Sequence, residues 1–303
     1  MASPIKNVAL LGAGTLGSHV LEALASNPSF SVYVVTRGST STKFPTNVGV
    51  LETDYSYQSL VSIFTGNAID AVVSTLPHHG LEAQDRAIEA AVASGVKRFV
   101  PSDFGTNTSD KRTLEIAEFL KPKAATVAKL RSLEGKGPKG EFSWTSVITG
   151  PFFDLGIKTD FLGLNLAQKS AVLYDGGNTT FSVTTLPQIG NAVSAILSKP
   201  SESANRYVFS ATAKITQRNL LNILEKETGV EWTITENTTQ GLLMEGKEKV
   251  AKGDLTGFFN FLYYCIFQGE NTGNLWDGTP GFSDQESAQS VVKRVLAEVA
   301  AQA

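Results

Sequence analysis

Gly12, Gly14 and Gly17 stand in the string Gly12-Ala13-Gly14-Thr15-Leu16-Gly17, directly after the apolar run Ile5-Lys6-Asn7-Val8-Ala9-Leu10-Leu11. Residues of this type and spacing suit phosphate binding. Gly12 allows a tight turn, Gly14 lets the backbone approach a pyrophosphate, and Gly17 lets a helix lie close to a strand. The free N–H groups around Thr15 and Leu16 would then face the phosphates. Leu16, Val20, Leu21 and Leu24 recur at helical spacing up to Asn27-Pro28. The glycines thus join a strand to a helix, the context that a dinucleotide-binding fingerprint requires.

A second group selects the dinucleotide. The next apolar run ends in Thr36-Arg37-Gly38, about twenty residues past the last glycine, where an acid would accept hydrogen bonds from a ribose 2′-hydroxyl. Arg37 stands there instead, with a planar donor fork and a fixed charge suited to a 2′-phosphate. Ser39, Thr40, Ser41 and Lys43 add small donors and a second cation. The strand tip therefore points to NADP(H) rather than NAD(H).

Hydride transfer takes its reductant from the cofactor and needs the protein for orientation and a proton. Tyr-x-x-x-Lys, the usual device of short-chain dehydrogenases, is absent: none of the seven tyrosines has a lysine four residues on. Lys123 remains, in Phe119-Leu120-Lys121-Pro122-Lys123-Ala124-Ala125-Thr126. Pro122 suits a first helical position, which sets Lys123 in the first turn. There it holds the nicotinamide ribose, acts as a general acid with a pKa lowered by desolvation, or stands solvated beside Lys121 and Lys129. His79, after His78, lies at the rim of the crevice as a substrate contact or as part of a solvated loop. Asp103 at a strand tip orients substrate or caps the next segment, and Asp54 reads as a helix cap.

The elements that position these groups alternate. Apolar strands at 48–51, 69–75, 97–100 and 142–148 are spaced by helical patterns, one carrying Leu81, Ala87, Ile88, Ala91 and Val92 and stopping at Gly95. Such alternation implies parallel pairing through right-handed crossovers, hence an α/β, doubly wound Rossmann sheet. Its ligand crevice lies outside the carboxyl ends of the strands. Thr75, Leu76, Pro77, Gly150, Pro151 and Phe152 are thereby cofactor candidates, and Phe104 and Phe153 join His79 and Asp103 as substrate candidates. Beyond 150 the pattern shortens: a turn at 174–178, helices over 187–197 and after Thr216, strands at 207–209 and 232–234, and a last helix over 284–299. The expected division is an NADP(H)-binding domain over 1–150 and a smaller α+β substrate lobe over 151–303, partly interleaved.

Composition excludes more than it selects. Lys plus Arg total 26 against 29 Asp plus Glu, a net charge of −3 with no dense basic stretch, so nucleic acid is not an expected partner. One cysteine, Cys265, and three histidines give neither a disulfide nor metal-ligand spacing. With no signal-peptide pattern and no apolar run long enough to span a bilayer, a cytoplasmic protein acting on a small-molecule substrate is expected, with no membrane partner. A homodimer is an open possibility.

The glycine string, Thr36-Arg37, the run Gly95-Val96-Lys97-Arg98-Phe99-Val100-Pro101-Ser102-Asp103-Phe104-Gly105, and Trp144-Thr145 leading to Gly150-Pro151-Phe152-Phe153-Asp154 together resemble the NmrA-like and isoflavone-reductase-like family. This is an atypical branch of the short-chain dehydrogenases, and the resemblance covers nearly the whole chain. It is closest to fungal members, which share a Tyr-Asp-Gly-Gly-Asn segment like that at 174–178. In plant relatives the catalytic lysine lies on a helix preceding a Tyr-Thr strand; the matching position is Lys123, ahead of Trp144-Thr145. Three departures stand out: Pro122 beside the lysine, a longer loop at 135–140, and Ala13 where the family usually has Thr. The resemblance implies an NADPH-dependent reductase of a small aromatic or heterocyclic secondary metabolite, with Lys123 or a water it holds supplying the proton and Phe104, Phe152 and Phe153 walling the pocket. The NmrA branch implies a different role, a regulator that binds NADP(H) without turnover and signals to a protein partner.

Overall fold

In the computed structural model, which describes residues 3–38, 43–269, 282 and 286–301, short buried strands alternate with amphipathic helices. The order begins β1 (Asn7–Leu11), α1 (Thr15–Ala25), β2 (Ser31–Thr36), β3 (Val48–Glu52), α2 (Tyr57–Gly66), β4 (Ala71–Ser74), α3 (Leu81–Ala93) and β5 (Arg98–Val100). It continues with α4 (Lys111–Ile116), α5 (Lys121–Ser132), β6 (Ser143–Ile148), α6 (Phe153–Lys158), β7 (Leu164–Asn165), β8 (Ser170–Tyr174) and β9 (Phe181–Val183). The remainder comprises α7 (Leu186–Ser198), α8 (Pro200–Ser203), β10 (Arg206–Phe209), β11 (Ala213–Ile215), α9 (Gln217–Thr228), β12 (Thr233–Asn237), α10 (Thr239–Ala251), α11 (Gly257–Phe267) and α12 (Ala288–Ala300).

The first compact unit comprises 1–103, 122–147 and 189–208. Its sheet runs in the order β10-β6-β5-β4-β1-β2-β3, and the pairings from β3 through to β6 are parallel. Every residue of β4 and β5 is buried, as expected of strands covered on both faces. Leu60 and Phe64 of α2, Ala87 and Ile88 of α3, and Val127 and Leu130 of α5 share one core with Ala9, Leu11, Val72 and Phe99 of the sheet. Chain order reverses between β1 and β4, so the loops leaving these two strands flank the switch point where an α/β sheet opens its ligand crevice.

Arg98 of β5 ties that strand to β6 and α8. Its guanidinium, in a residue 1 % exposed, donates to the hydroxyls of Ser143 (2.9 Å), Thr145 (2.8 Å) and Ser203 (2.9 Å) and to the carbonyl of Pro200 (2.6 Å). Burial pushes it down to about 10. Four hydrogen bonds to neutral oxygens, rather than a carboxylate, compensate the buried charge.

The second unit comprises 104–121, 148–188 and 209–303. It holds an antiparallel β9–β11 pair and a three-stranded β12-β8-β7 sheet. Phe153, Leu162, Phe181, Leu220, Leu224, Phe267 and Val292 lie in its core. The chain therefore crosses between units more often than a cut at residue 150 implies. Segment 189–208 returns to the first unit because β10 joins β6 and Gly190 of α7 lies against His19 of α1.

Local expectations hold at several points and shift at others. Thr216 caps α9 by accepting from the Asn219 N–H. Lys121, not Pro122, opens α5, because a single 3₁₀ turn (Glu118–Leu120) runs straight into it. Ser56 caps α2, and Asp54 instead accepts from the Ser56 N–H at 2.8 Å. The last helix starts at Ala288; Asp284, like Ser39, Thr40 and Ser41, lies outside the described residues. No helix among the described residues is long and apolar enough to cross a membrane. Among the same residues no group of three His, Cys, Asp or Glu could hold a metal ion.

Candidate active site

The glycine turn has the geometry its spacing requires. Gly12 lies at φ +86°, a region costly for any residue with a Cβ. A Cβ on Gly17 would run into the Gly12 carbonyl and approach the Thr75 hydroxyl at 2.7 Å. That hydroxyl donates to the Gly12 carbonyl at 2.8 Å, so Thr75 supports the turn from β4. Gly14 differs: among the described residues nothing lies within 4 Å of a Cβ placed there, so no neighbour among them needs this glycine. Gly14 is the N-cap of α1 and no side chain caps that end, which leaves the N–H groups around Thr15 and Leu16 for an anion.

Arg37, at the tip of β2, opens onto a cleft of about 330 Å³ lined by Gly12, Asp54, Tyr55, Leu76, Pro77, His79, Glu82 and Arg86. Tyr55 organises this cleft. It holds φ +59°, unusual for a residue with a side chain and typical of binding sites. Its hydroxyl donates to the Val35 carbonyl at 3.0 Å, and its own carbonyl accepts from Arg86 Nε at 2.8 Å. Burial pushes the Tyr55 phenol up to about 12, against the pull of the Arg37 charge. Two guanidiniums thus flank one tyrosine, and neither is ion-paired among the described residues. Open space at Gly14, an uncapped helix start and Arg37, without an ion pair at the strand tip, fit a pyrophosphate with a 2′-phosphate on its adenosine.

Sequence reasoning missed Arg86 and Tyr55. Arg86 is an interior helix residue with no local signature, and the left-handed backbone of Tyr55 is carried by no motif. His79 falls in the Arg37 cleft together with Leu76 and Pro77, so it is grouped with the cofactor residues rather than with Lys123. Lys43 lines a different hollow of about 420 Å³, beside Ala13, Ser18 and Glu22, and does not join Arg37.

Lys123 lies at the carboxyl end of the sheet. Its Nζ donates to the backbone carbonyl of Asp103 at 2.6 Å. Burial lowers its pKa below the ordinary lysine value, and the Asp103 charge opposes that shift. The residue as a whole is half-buried. Asp103 itself is 2 % exposed, and its Oδ2 accepts from Ser146 Oγ at 2.5 Å. It therefore faces inward, toward Ser146 and Lys123, rather than outward as a substrate contact.

In the second unit, the Thr149 and Gly150 N–H groups donate to the Gly105 carbonyl at 3.2 and 3.0 Å. Thr184 N–H donates to the Pro151 carbonyl at 3.1 Å, and Phe153 N–H to the Thr184 carbonyl at 2.8 Å. These bonds fix the course of 150–153 past Thr184. Phe153 is 0 % exposed within the core of its unit, and Phe104 is also buried. Both are core packing here, which corrects the expectation that they wall a pocket. Phe152, half-buried, keeps an accessible face.

Residues 5–245 match the sequence model of the NmrA-like family. The chain is 32% identical over 265 residues to the oxidoreductase aprR of Aspergillus flavus, covering 86% of this chain and 88% of that protein. It is 28% identical over 251 residues to an isoflavone reductase homolog of Solanum tuberosum, with 76% of each covered. Among solved structures, the binary complex of leucoanthocyanidin reductase with NADPH from Vitis vinifera superimposes with a TM-score of 0.76 at 16% identity, covering 96% of this chain and 99% of that one. At that identity the likeness is one of fold.

Proposed function

The chain belongs to the NmrA-like family, and we propose that it is an NADPH-dependent reductase of a small aromatic or heterocyclic secondary metabolite. Lys123 carries this reading: it is a desolvated ammonium, fixed at 2.6 Å to the strand tip that borders the ligand crevice. The curated relative aprR is named an oxidoreductase, which supports turnover over sensing.

Bound NADPH supplies the hydride. The protein's own residues do the rest. The glycine turn and the start of α1 hold the pyrophosphate, and Arg37 takes the 2′-phosphate. Lys123 keeps a proton at Nζ and delivers it to the reduced substrate, directly or through a water it holds.

The test is NADPH oxidation followed against a panel of quinones, enones and phenolic heterocycles. Turnover of at least one aromatic acceptor is expected. Tight NADPH binding with no turnover on any of them would favour a sensor acting through a protein partner.

A further inference from the structure

Asp103 touches Lys123 through its main chain and is locked through its side chain. The carbonyl accepts from Lys123 Nζ at 2.6 Å, and carboxylate Oδ2 accepts from Ser146 Oγ at 2.5 Å. Ser146 is 0 % exposed, so this clamp is sealed from water. The tip itself is pinned next door. The Ser102 N–H donates to Gln84 Oε1 at 2.8 Å, and Ser102 Oγ donates to the Leu76 carbonyl at 2.7 Å. The Asp103 charge works against burial at the Lys123 ammonium.

We propose that Asp103, clamped by Ser146, is a positioning residue that holds Lys123 in place as an ammonium ready to give up its proton. The proposal rests on the reading of Lys123 as proton donor but concerns the state of the lysine before any substrate arrives. Desolvation alone drives a buried lysine toward the neutral amine, and a nearby carboxylate reverses that pressure. The carboxylate can do so only while it stays ionised and oriented. A short, charge-assisted hydrogen bond from a buried hydroxyl favours both. Ser146 therefore acts at one remove, through Asp103.

The experiment is trace acetylation of the intact protein with acetic anhydride across pH, reading the Lys123 peptide by mass spectrometry, with neither cofactor nor substrate present. In Asp103→Asn the midpoint of Lys123 reactivity should fall by about one pH unit or more. Ser146→Ala should move it the same way by less, and Ser146→Thr, which keeps the hydroxyl, should restore it. A midpoint unmoved in folded Asp103→Asn and Ser146→Ala overturns the proposal. If Asp103→Asn does not fold, the Ser146 pair decides: equal midpoints for Ser146→Ala and the unaltered protein overturn it. Failure of the catalytic reading would look different, as a shifted midpoint alongside unchanged turnover in Lys123→Ala.

Discussion

Lys123 Nζ and the backbone carbonyl of Asp103 lie 2.6 Å apart, twenty residues distant in the chain. This bond fastens the first turn of α5 to the tip of β5. The lysine is thus placed by the sheet rather than by its helix alone, and its position is set before a ligand binds. Its chemistry follows from where it is held, buried and within reach of the Asp103 charge.

A pH dependence follows. The donating form is the ammonium, so activity should be present below the Lys123 pKa and lost as pH rises through it. Burial sets that pKa below the free lysine value of 10.5. The alkaline limb of kcat/KM should therefore fall below the ordinary lysine range, and in Asp103→Asn it should fall lower still. A profile flat up to the free lysine value of 10.5 would contradict Lys123 as the proton donor.

Arg37→Ala should cost NADPH binding the worth of a charge-assisted contact, about 1.5–3 kcal/mol or roughly 10- to 150-fold in Kd. NADH, which lacks the 2′-phosphate, should be nearly unaffected. Fluorescence titration with both cofactors measures this, and equal losses would remove Arg37 from the phosphate site.

Two glycine variants should part company. Gly17→Ala forces a Cβ against the Gly12 carbonyl and the Thr75 hydroxyl, so it should lower the melting temperature and weaken cofactor binding together. Gly14→Ala meets nothing within 4 Å. It should melt like the unaltered protein while binding NADPH less well, because the methyl occupies the approach to the pyrophosphate. Unchanged binding in a stable Gly14→Ala protein would place the phosphates elsewhere.

The parts of this site that depend on local chain chemistry were legible in the sequence. Glycine spacing, the basic strand tip at Arg37 and the strand–helix alternation each follow from neighbours a few residues away. What the sequence hid depends on packing between distant segments. Nothing near Asp103 says that Ser146, on another strand, clamps its carboxylate. Nothing near Phe153 distinguishes it from Phe152, although one is core and the other keeps an open face. Lys43 looked like a partner of Arg37 because both follow β2, yet it lines a separate hollow.

Arg98 tests the scaffold rather than the chemistry. Arg98→Ala leaves the Ser143, Thr145 and Ser203 hydroxyls without their buried donor and opens a cavity. Stability should fall by about 3 kcal/mol in chemical denaturation. Arg98→Lys should also destabilise, since one ammonium cannot reach all four oxygens. The NADPH affinity of the folded fraction should be unchanged in both.

The most direct test of the central claim is the rate of NADPH oxidation by Lys123→Ala with an accepted substrate, measured beside its NADPH affinity. Turnover should drop by about 10²-fold or more while cofactor binding stays close to that of the unaltered protein. Turnover equal to that of the unaltered protein would contradict Lys123 as the group that supplies the proton.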